Sequence, residues 1–441
     1  MEPLNLSNST FTSKADRVYS DNGIFNPAGS NVKTLRGADE IVGNNFINSG
    51  FGFGVFVGVT SDKTVSVDAA ALSGEANVNA NGINNEGNIA TNKGRDVVRG
   101  TATAQVIAVA QTVSEAITYA NNLDADAVAT TFANLNVNAI ANGIKNSGQL
   151  ATGEGSDSVN GEIDASIVAV ATAKADATAI VQGIAQAPVN ESLSAFAIAI
   201  SQSIANGNII ATGINNVGGK ITTARGGDTI NAIATSDSAN FAKASTSALA
   251  ATTSENQVLA LAVAEAIATV QDKAIAIDNS TGTIRTGKGK DNINATANAV
   301  DKAIAINNIQ GTIQTGNGAD TILADATGIE SYGIFGGTIE MGDGADKLDA
   351  SSFGGGVNIK MGNGKDFVEG FGDAIVNGGN GFDVLSLDSD SIDDFNISLG
   401  ANNNKVIFEQ DNIIMNTSNF ELFNFNNGSL TLTYDELAAN L

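Results

Sequence analysis

Between residues 311 and 388 the chain repeats one short motif four times. The copies read GTIQTGNGADTIL, GTIEMGDGADKLD, VNIKMGNGKDFVE and AIVNGGNGFDVLS, and they share Gly-x-Gly-x-Asp followed two places on by an apolar residue. The motif aspartates are separated by 26, 20 and 17 residues and are Asp320, Asp346, Asp366 and Asp383. Turns repeated at such intervals stack above one another if the chain winds as a solenoid.

Each letter of the motif has a physical role. The glycines allow a tight turn that brings carbonyl oxygens close together, and the alternation after the aspartate begins a short strand. Stacked turns then form a column of carboxylates and carbonyls. Ca²⁺ accepts six to eight such oxygen ligands. We therefore predict Ca²⁺ sites built from Gly316, Asn317, Gly318, Asp320, Gly342, Asp343, Gly344, Asp346, Gly362, Asn363, Gly364, Asp366, Gly379, Asn380, Gly381 and Asp383, with Asp291 as a further ligand. The alternative is an ion-free β-helix in which the aspartates cap turns.

These motifs resemble the calcium-binding nonapeptide repeat of secreted bacterial RTX (hemolysin-type) proteins, written Gly-Gly-x-Gly-x-Asp-x-apolar-x. The copy from Gly378 to Asp383 matches this consensus in full, whereas the other three have Thr or Met in place of the first glycine. The resemblance implies a parallel β-roll with calcium between successive turns. It also implies secretion by a type I apparatus that reads an uncleaved C-terminal signal.

The charge of the chain is strongly acidic. It has 22 Lys and Arg against 47 Asp and Glu, a net charge of -25, and residues 311–441 contribute 4 basic and 20 acidic side chains, or -16. A phosphate backbone requires a basic surface, so the charge argues against nucleic acid as a partner. Repulsion between the carboxylates disfavours the compact state until cations neutralise them, which agrees with calcium binding.

The residue types that are missing narrow the function further. The chain has no Cys and no His, which excludes thiolate metal sites, histidine metalloproteases and Ser-His-Asp hydrolases. A polysaccharide lyase or epimerase using Tyr119 or Lys174 is an alternative, although nothing clusters around either residue. The first 20 residues lack the pattern of a classical signal peptide, and no stretch has the character of a membrane-spanning helix.

A weaker form of the motif recurs at long intervals in the first part of the chain. Its aspartates follow one another after 57, 61, 71, 63 and 29 residues and are Asp39, Asp96, Asp157, Asp228, Asp291 and Asp320. Each long period holds either one very wide coil or two coils of which one carries the motif. With the motif on alternate coils, calcium sites here would be incomplete. The turns also carry cations that disfavour calcium: Lys93, Arg95, Arg225, Lys288 and Lys290.

Alanines alternate with other residues between these turns, for example from Ala169 to Ala179. Strict alternation places every alanine on one face of a strand but spreads alternate alanines around a helix, so the pattern predicts strands despite the helix propensity of alanine. The alanine face suits the narrow interior of a flattened solenoid. Phe46 to Val59 also alternates and is predicted to be a strand. Residues 255–272 are apolar on both faces of a strand, and either a helix or a strand is possible there.

The predicted architecture is an all-β parallel β-roll or β-helix solenoid with wide alanine-lined coils and a β C-terminal cap. Its segments are an N-terminal cap and first coil (1–60), long-coil repeats (61–280), a calcium-binding β-roll (281–388) and a cap with an export signal (389–441). In the cap, Asn427-Gly428 is the predicted turn of a hairpin.

From these features we expect a secreted, noncatalytic calcium-binding protein with a structural role at a cell surface or in an extracellular matrix. Its expected partners are calcium ions, cell-surface polysaccharide or other surface proteins, and the type I secretion apparatus. An adhesin cannot be distinguished from a structural protein by sequence, because both would use the same calcium-stiffened rod.

Overall fold

A computed structural model of the chain describes residues 2–9, 11–12, 14–34, 37–61, 65–121, 125–182, 194–252, 257–388, 390–400, 404–439 and 441. Apart from a C-terminal cap, its strands run parallel in two sheets of 20 and 12 strands. The chain is therefore an all-β parallel solenoid, as its repeats predict. Within the described ranges, no helix has the length and apolar character needed to cross a membrane.

Most coils have three sides. One strand lies in the 12-stranded sheet, the next returns in the 20-stranded sheet, and a short third strand of the same 20-stranded sheet closes the coil. A turn containing a buried asparagine joins the second side to the third, and the Gly-x-Asp turn joins the third side to the next coil. The first coil contains the strands β2 (Arg17–Ser20), β3 (Ile24–Asn26) and β4 (Asn31–Lys33). Strand β1 (Leu4–Asn5), which pairs with β3, and a 3₁₀ turn at Leu6–Asn8 precede it.

The following coils are wide, with strands of 21 to 25 residues on two sides. Their strands are β5 (Glu40–Ser61), β6 (Val65–Asn85), β7 (Asn88–Ala90), β8 (Val97–Asn121), β9 (Ala125–Asn146), β10 (Gln149–Ala151), β11 (Ser158–Gln182), β12 (Ser194–Asn215), β13 (Lys220–Thr222), β14 (Thr229–Thr252) and β15 (Gln257–Asp278). Strand β11 pairs with β8 without a register shift from Ser158 to Gln182. Each long period is thus one wide coil, and the two-coil alternative is wrong.

The outer parts of these strands form a two-layered extension, which we call the wing: residues 47–61, 65–78, 104–120, 125–139, 165–182, 194–209, 236–252 and 257–272. Its interior is lined by alanine. Ala171 in β11 and Ala199 in β12 are both fully buried, because inward-facing residues alternate with outward-facing ones along each strand. The alternating alanines therefore form strands with their methyl groups inside, as predicted.

Strand β16 (Thr283–Lys288) closes the last wide coil, and from residue 292 onward the coils are narrow. The narrow coils comprise β17 (Asn292–Asn298), β18 (Lys302–Asn307), β19 (Thr312–Asn317), β20 (Thr321–Thr327), β21 (Glu330–Phe335), β22 (Thr338–Gly344), β23 (Lys347–Ala350), β24 (Phe353–Gly364), β25 (Phe367–Glu369), β26 (Gly372–Gly381) and β27 (Val384–Ser386). Larger side chains replace alanine inside, including Ile339, Met341 and Ile359. They fill a core that is enclosed on three sides rather than compressed between two sheets.

Antiparallel hairpins end the solenoid. After a 3₁₀ turn at Ile392–Asp394 come β28 (Asn396–Leu399), β29 (Val406–Gln410), β30 (Ile413–Ser418), β31 (Leu422–Phe425), β32 (Leu430–Thr433) and the helix α1 (Tyr434–Ala439). Buried phenylalanines close the core, with the rings of Phe408 and Phe423 centred 5.9 Å apart. The β31–β32 hairpin turns through Asn427 and Gly428, both at positive φ, as predicted.

Two further segments of the chain are strands. Phe46 to Val59 lies within strand β5. Residues 257–272 form part of β15, so the strand alternative is correct there, while residues 255 and 256 lie outside the described residues.

Candidate metal site: the aspartate ladder

The Gly-x-Gly-x-Asp turns stack in register along one edge of the solenoid. Gly316 is aligned with Gly342, Gly342 with Gly362, and Gly362 with Gly379. This alignment follows from the apolar residue two places after each aspartate, which is buried and fixes the register of the next strand. The four copies recognised in the sequence are therefore brought together in one column.

The motif aspartates form a continuous hydrogen-bonded row, which we call the aspartate ladder. In each step, the backbone N–H of one ladder aspartate donates to Oδ1 of the aspartate one coil later, at 2.8 to 2.9 Å. The last N–H, that of Asp383, donates to Oε2 of Glu421 at 2.7 Å. The members of the ladder are Asp39, Asp96, Asp157, Asp228, Asp291, Asp320, Asp346, Asp366 and Asp383.

The second carboxylate oxygen of every ladder aspartate is buried and accepts no hydrogen bond of regular geometry. These atoms are Oδ2 of Asp39, Asp96, Asp157, Asp228, Asp291, Asp320, Asp346, Asp366 and Asp383. A buried polar atom without a regular hydrogen bond is costly, and a row of such atoms on adjacent coils is a set of unused oxygen ligands. The donor chemistry fits a hard cation such as Ca²⁺.

Burial also disfavours the charged form of these side chains. It raises the pKa of Asp346 from its ordinary value of 3.8 to about 7, assisted by the neighbouring Asp320 and Asp366 carboxylates. The same cause raises the pKa values of Asp157, Asp291 and Asp383 to about 6. It raises those of Asp96, Asp320 and Asp366 as well. A threonine hydroxyl beside the carboxylates of Asp96, Asp157, Asp291 and Asp320 partly offsets the rise of their pKa values. Protons or a bound cation would therefore stabilise the ladder aspartates whose pKa values are raised.

Glycine is required in these turns because the backbones of adjacent coils approach closely. A Cβ added at Gly344 would lie 1.4 Å from the carbonyl oxygen of Gly318, and one added at Gly318 would lie 1.5 Å from that of Gly289. Likewise, a Cβ added at Gly364 would lie 1.4 Å from the carbonyl oxygen of Gly344, and one added at Gly381 would lie 1.6 Å from that of Gly364. The motif glycines are thus explained by coil packing, and they keep backbone carbonyls near the ladder.

The variable residues of the motif face outward. Asn317, Asp343, Asn363 and Asn380 are exposed and form a second row, in which Nδ2 of Asn317 donates to Oδ2 of Asp343 at 2.8 Å and Nδ2 of Asn363 donates to Oδ1 of Asp343 at 2.6 Å. Their side chains do not join the buried Oδ2 atoms. If these residues bind a cation in the ladder, they would do so through their backbone carbonyl oxygens.

The wide coils carry different residues in this outer row. Lys93, Glu154, Arg225 and Lys288 replace the asparagines, with the Lys93 ammonium 2.6 Å from a Glu154 carboxylate oxygen. The cations that were predicted to disfavour calcium thus lie on the exposed side of the turns. The buried ladder itself runs through both halves without a break.

The sequence pattern underestimated the length of this ladder. Asp39, Asp96, Asp157 and Asp228 are not among the predicted ligands, because calcium sites would be incomplete if the motif lay on alternate coils and because cationic residues occur in these turns. Their turns nevertheless place them on adjacent coils with the same hydrogen bond and the same buried Oδ2. The sequence Gly-x-Asp, which begins at Gly37, Gly94 and Gly155, could have identified Asp39, Asp96 and Asp157 as members of the ladder.

A second buried ladder lies on the opposite turn of the coils. Nδ2 of Asn85 donates to Oδ1 of Asn146, Nδ2 of Asn146 to Oδ1 of Asn216, and Nδ2 of Asn216 to Oδ1 of Asn279, each at 2.7 Å. Asn26 and Asn308 extend the row at its two ends. Each amide satisfies its neighbours, so this asparagine ladder offers no free oxygen and is structural.

The spacing of the ladder limits how a cation could be held. Adjacent strands lie about 4.8 Å apart, so the carboxylates stand in single file. Among the described residues, no three acidic side chains converge on one point as a metal cluster. A cation would therefore take one or two Oδ2 atoms and complete its coordination with backbone carbonyls, which is a ligand mixture that Ca²⁺ accepts.

Comparison with known proteins identifies no relative: no family model, no curated protein and no solved structure matches the chain.

Proposed function

We propose that the chain is a noncatalytic calcium-binding β-solenoid that completes its folding outside the cell and serves as a structural element of a bacterial surface or matrix. The observation that carries this proposal is the row of buried Oδ2 atoms on adjacent coils, none of which accepts a hydrogen bond of regular geometry. The resemblance of the four C-terminal motifs to RTX repeats supports the same ion and the same route of export.

Electrostatics explains why folding would depend on the ion. Two ionised carboxylates about 5 Å apart repel each other by roughly 3 kcal/mol at an effective dielectric constant of 20. Ionised ladder aspartates would meet this repulsion at every step between coils. A divalent cation bound to an Oδ2 atom replaces the repulsion with attraction, and the coil can close around it.

The affinity expected of such sites suits the extracellular space. Extracellular calcium modules have dissociation constants of about 10⁻⁴ to 10⁻³ M. At millimolar calcium, a site of 10⁻⁴ M stabilises the folded state by about 1.4 kcal/mol. Several such sites in one ladder would together determine whether the narrow coils are folded. In the calcium-poor cytoplasm these coils would stay unfolded, so that the chain could be exported.

Direct calcium binding to purified protein tests this proposal. Chelator-treated protein is titrated with calcium while far-ultraviolet circular dichroism and bound calcium are measured. The ladder variant carries Asp320→Asn, Asp346→Asn, Asp366→Asn and Asp383→Asn, which keep an oxygen that can accept the backbone N–H but remove the charged Oδ2. We expect calcium to increase strand content in the native protein and to bind poorly to this variant.

A matched control separates the ladder from the general acidity of the chain. It carries Asp325→Asn, Asp373→Asn, Asp411→Asn and Asp435→Asn, which remove the same number of charges from exposed positions in the same part of the chain. This control should respond to calcium as the native protein does. A native protein that folds fully without calcium and does not bind it would refute the proposal, as would equal losses in both variants.

A further inference from the structure

The wing ends in an open edge on the side of the narrow coils. Strand β14 pairs with β17 only from Thr229 to Thr235, and β15 pairs with β18 only from Lys273 to Asp278. Among the described strands, none covers residues 236–252 or 257–272 on that side. We call these two segments the wing edge. Their outward N–H and C=O groups form two rows for pairing with another chain. The exceptions are the N–H of Asp272, which donates to Asp301, and the carbonyl oxygen of Thr269, which accepts from Asn240.

The wing edge exposes the interior of the wing. In β12, Ala197 and Ala199 are fully buried, whereas their register partners in β15, Ala260 and Ala262, are exposed. On the outer face of β15, large apolar side chains are also 45 to 47% exposed at Leu259, Leu261 and Val263. An apolar interior of this kind requires a cover, as the end of any solenoid does.

Few features of the wing edge would prevent pairing. The wing edge contains no proline and four charged residues, which are Asp237, Lys243, Glu265 and Asp272; Asp237 and Asp272 stand at its inner end, next to the narrow coils. Strand β15 pairs with β12 without a register shift, so its backbone is regular. The opposite edge of the wing differs, because β6 has a register shift between Ala69 and Leu72. Bulges of this kind protect an edge from pairing, and β15 lacks one.

We propose that a second copy of this chain covers the wing edge in a twofold symmetric dimer. The twofold axis runs perpendicular to the sheets through the middle of the wing edge, and it makes β14 and β15 antiparallel to the same strands of the partner. Each narrow solenoid then runs past the tip of the other wing. Such an interface is self-complementary and closed.

The alternative head-to-tail arrangement is excluded by the shape of the chain. Placing β5 and β6 of a second copy on β14 and β15 would continue the winding of the wide coils. It would also place the inner parts of β5 and β6 of that copy where β17 and β18 already stand on β14 and β15. The twofold arrangement avoids this overlap.

The size of the wing edge is sufficient for a stable dimer. The uncovered segments of β14 and β15 hold 17 and 16 residues. At about 3.3 Å per residue they extend over roughly 55 Å, and two sheets about 10 Å apart with their side chains make the edge roughly 20 Å thick. The edge therefore offers on the order of 1,000 Å² per copy. Stable protein interfaces bury about 800 Å² per partner.

Cysteine cross-linking tests the proposed geometry, because the chain has no cysteine of its own. Ala262→Cys, Ala264→Cys and Ala266→Cys are made singly around the middle of β15. Opposed residues in antiparallel strands lie close enough for a disulfide, so the cysteine nearest the axis should link to its own copy. Mixing Ala260→Cys protein with Ala268→Cys protein should also give a linked dimer. Ala199→Cys, on the covered strand, should remain reduced.

Molar mass in solution tests the same interface without cross-linking. The native protein should have twice the mass of one chain by light scattering after size exclusion. Leu261→Lys with Ile267→Lys brings lysines opposite each other across the axis and should give a folded monomer. The control Ile198→Lys with Ile204→Lys changes the register partners on β12, one strand inside the edge, and should stay dimeric.

Calcium is present throughout these measurements, and circular dichroism confirms folding, so that failure of the dimer is separate from failure of calcium binding. A native protein that is monomeric at about 100 μM and forms none of these disulfides would overturn the proposal. An edge variant and a control that dissociate equally would overturn it too.

Discussion

The backbone N–H of Asp346 donates a 2.9 Å hydrogen bond to Oδ1 of Asp366, which lies 20 residues later and one coil away. This bond uses one oxygen of Asp366 and leaves Oδ2 buried without a partner. The same side chain thus joins two coils and presents an unused ligand atom. In the aspartate ladder, cohesion of the coils and affinity for a cation or proton are properties of the same carboxylate.

The pH dependence of stability follows from the raised pKa values. The carboxyl of Asp346 has a pKa of about 7 when folded and 3.8 in its ordinary state, so it binds a proton more tightly in the folded chain. Stability from protonation is fully present below pH 3.8 and is lost as the pH rises through 6 to 7. In calcium-free buffer we therefore expect a higher melting temperature at pH 5 than at pH 8.

Calcium should abolish this pH dependence by supplying the neutralising charge. Thermal melts at both pH values with saturating calcium measure the effect, and the Asp→Asn ladder variant should show a smaller dependence than the native protein. A calcium-free protein that is more stable at pH 8 than at pH 5 would contradict the assigned environment of these carboxyls.

Replacement of Asn216 by alanine should weaken the asparagine ladder. The Asn216 amide accepts a hydrogen bond from Asn146 and donates one to Asn279, both at 2.7 Å, and all three residues are buried. Truncation removes one buried hydrogen bond from each neighbour, although Nδ2 of Asn146 keeps its bond to the carbonyl oxygen of Lys220. We expect the free energy of unfolding to fall by about 2 to 4 kcal/mol. Chemical denaturation measures the change. Asn138→Ala, which removes an exposed bond to Asn77, should change it by less than about 0.5 kcal/mol.

Replacement of Gly344 by alanine should disturb the packing of two coils. The new Cβ would lie 1.4 Å from the carbonyl oxygen of Gly318, and backbone atoms must move to admit it. We expect a loss of about 3 kcal/mol or more in the free energy of unfolding. Gly50→Ala is a suitable control, since its Cβ would approach no atom closer than 3.9 Å. Comparable losses in the two variants would argue against the close approach of these turns.

Enlargement of an alanine inside the wing should separate its two layers. Ala171 is fully buried between the sheets, and Oγ of Ser203 on the facing strand donates to its carbonyl oxygen at 2.6 Å. Ala171→Leu should lower the free energy of unfolding by about 1 to 3 kcal/mol. Val170→Leu, on the outer face of the same strand, should have little effect. Hydrogen exchange of β11 and β12 amides would localise the loss to the wing.

Local pattern was sufficient to predict the strands and the stacked turns. Alternation at Ala169 to Ala179 distinguishes a strand from a helix without any tertiary information, because the two structures distribute alternate residues differently. The Gly-x-Asp turns could also be predicted, because the glycine and the aspartate stand close together in the sequence and the pair recurs. The width of a coil was not predictable, since a period of about 60 residues is compatible with one coil or two.

Burial and pairing across coils could not be predicted. Asn146 and Asn216 each end a Gly-Ile-x-Asn sequence, yet only stacking of the coils shows that their amides bond to each other inside the core. The unpartnered Oδ2 of Asp228 depends in the same way on the coils above and below it. The fall in spacing from 63 to 29 residues after Asp291 reveals shorter coils but not the open strand edge that results.

Coil length varies widely while the ladders stay constant. Successive ladder aspartates are 71 residues apart at Asp157 and Asp228 but 17 apart at Asp366 and Asp383, and both pairs are joined by the same 2.9 Å bond. How far a coil extends into solvent and how firmly it holds its neighbours are therefore set by different residues. An insertion that lengthens the outgoing and returning strands of one coil equally leaves both ladders intact, so this architecture can acquire or lose lateral surface without being redesigned along its axis.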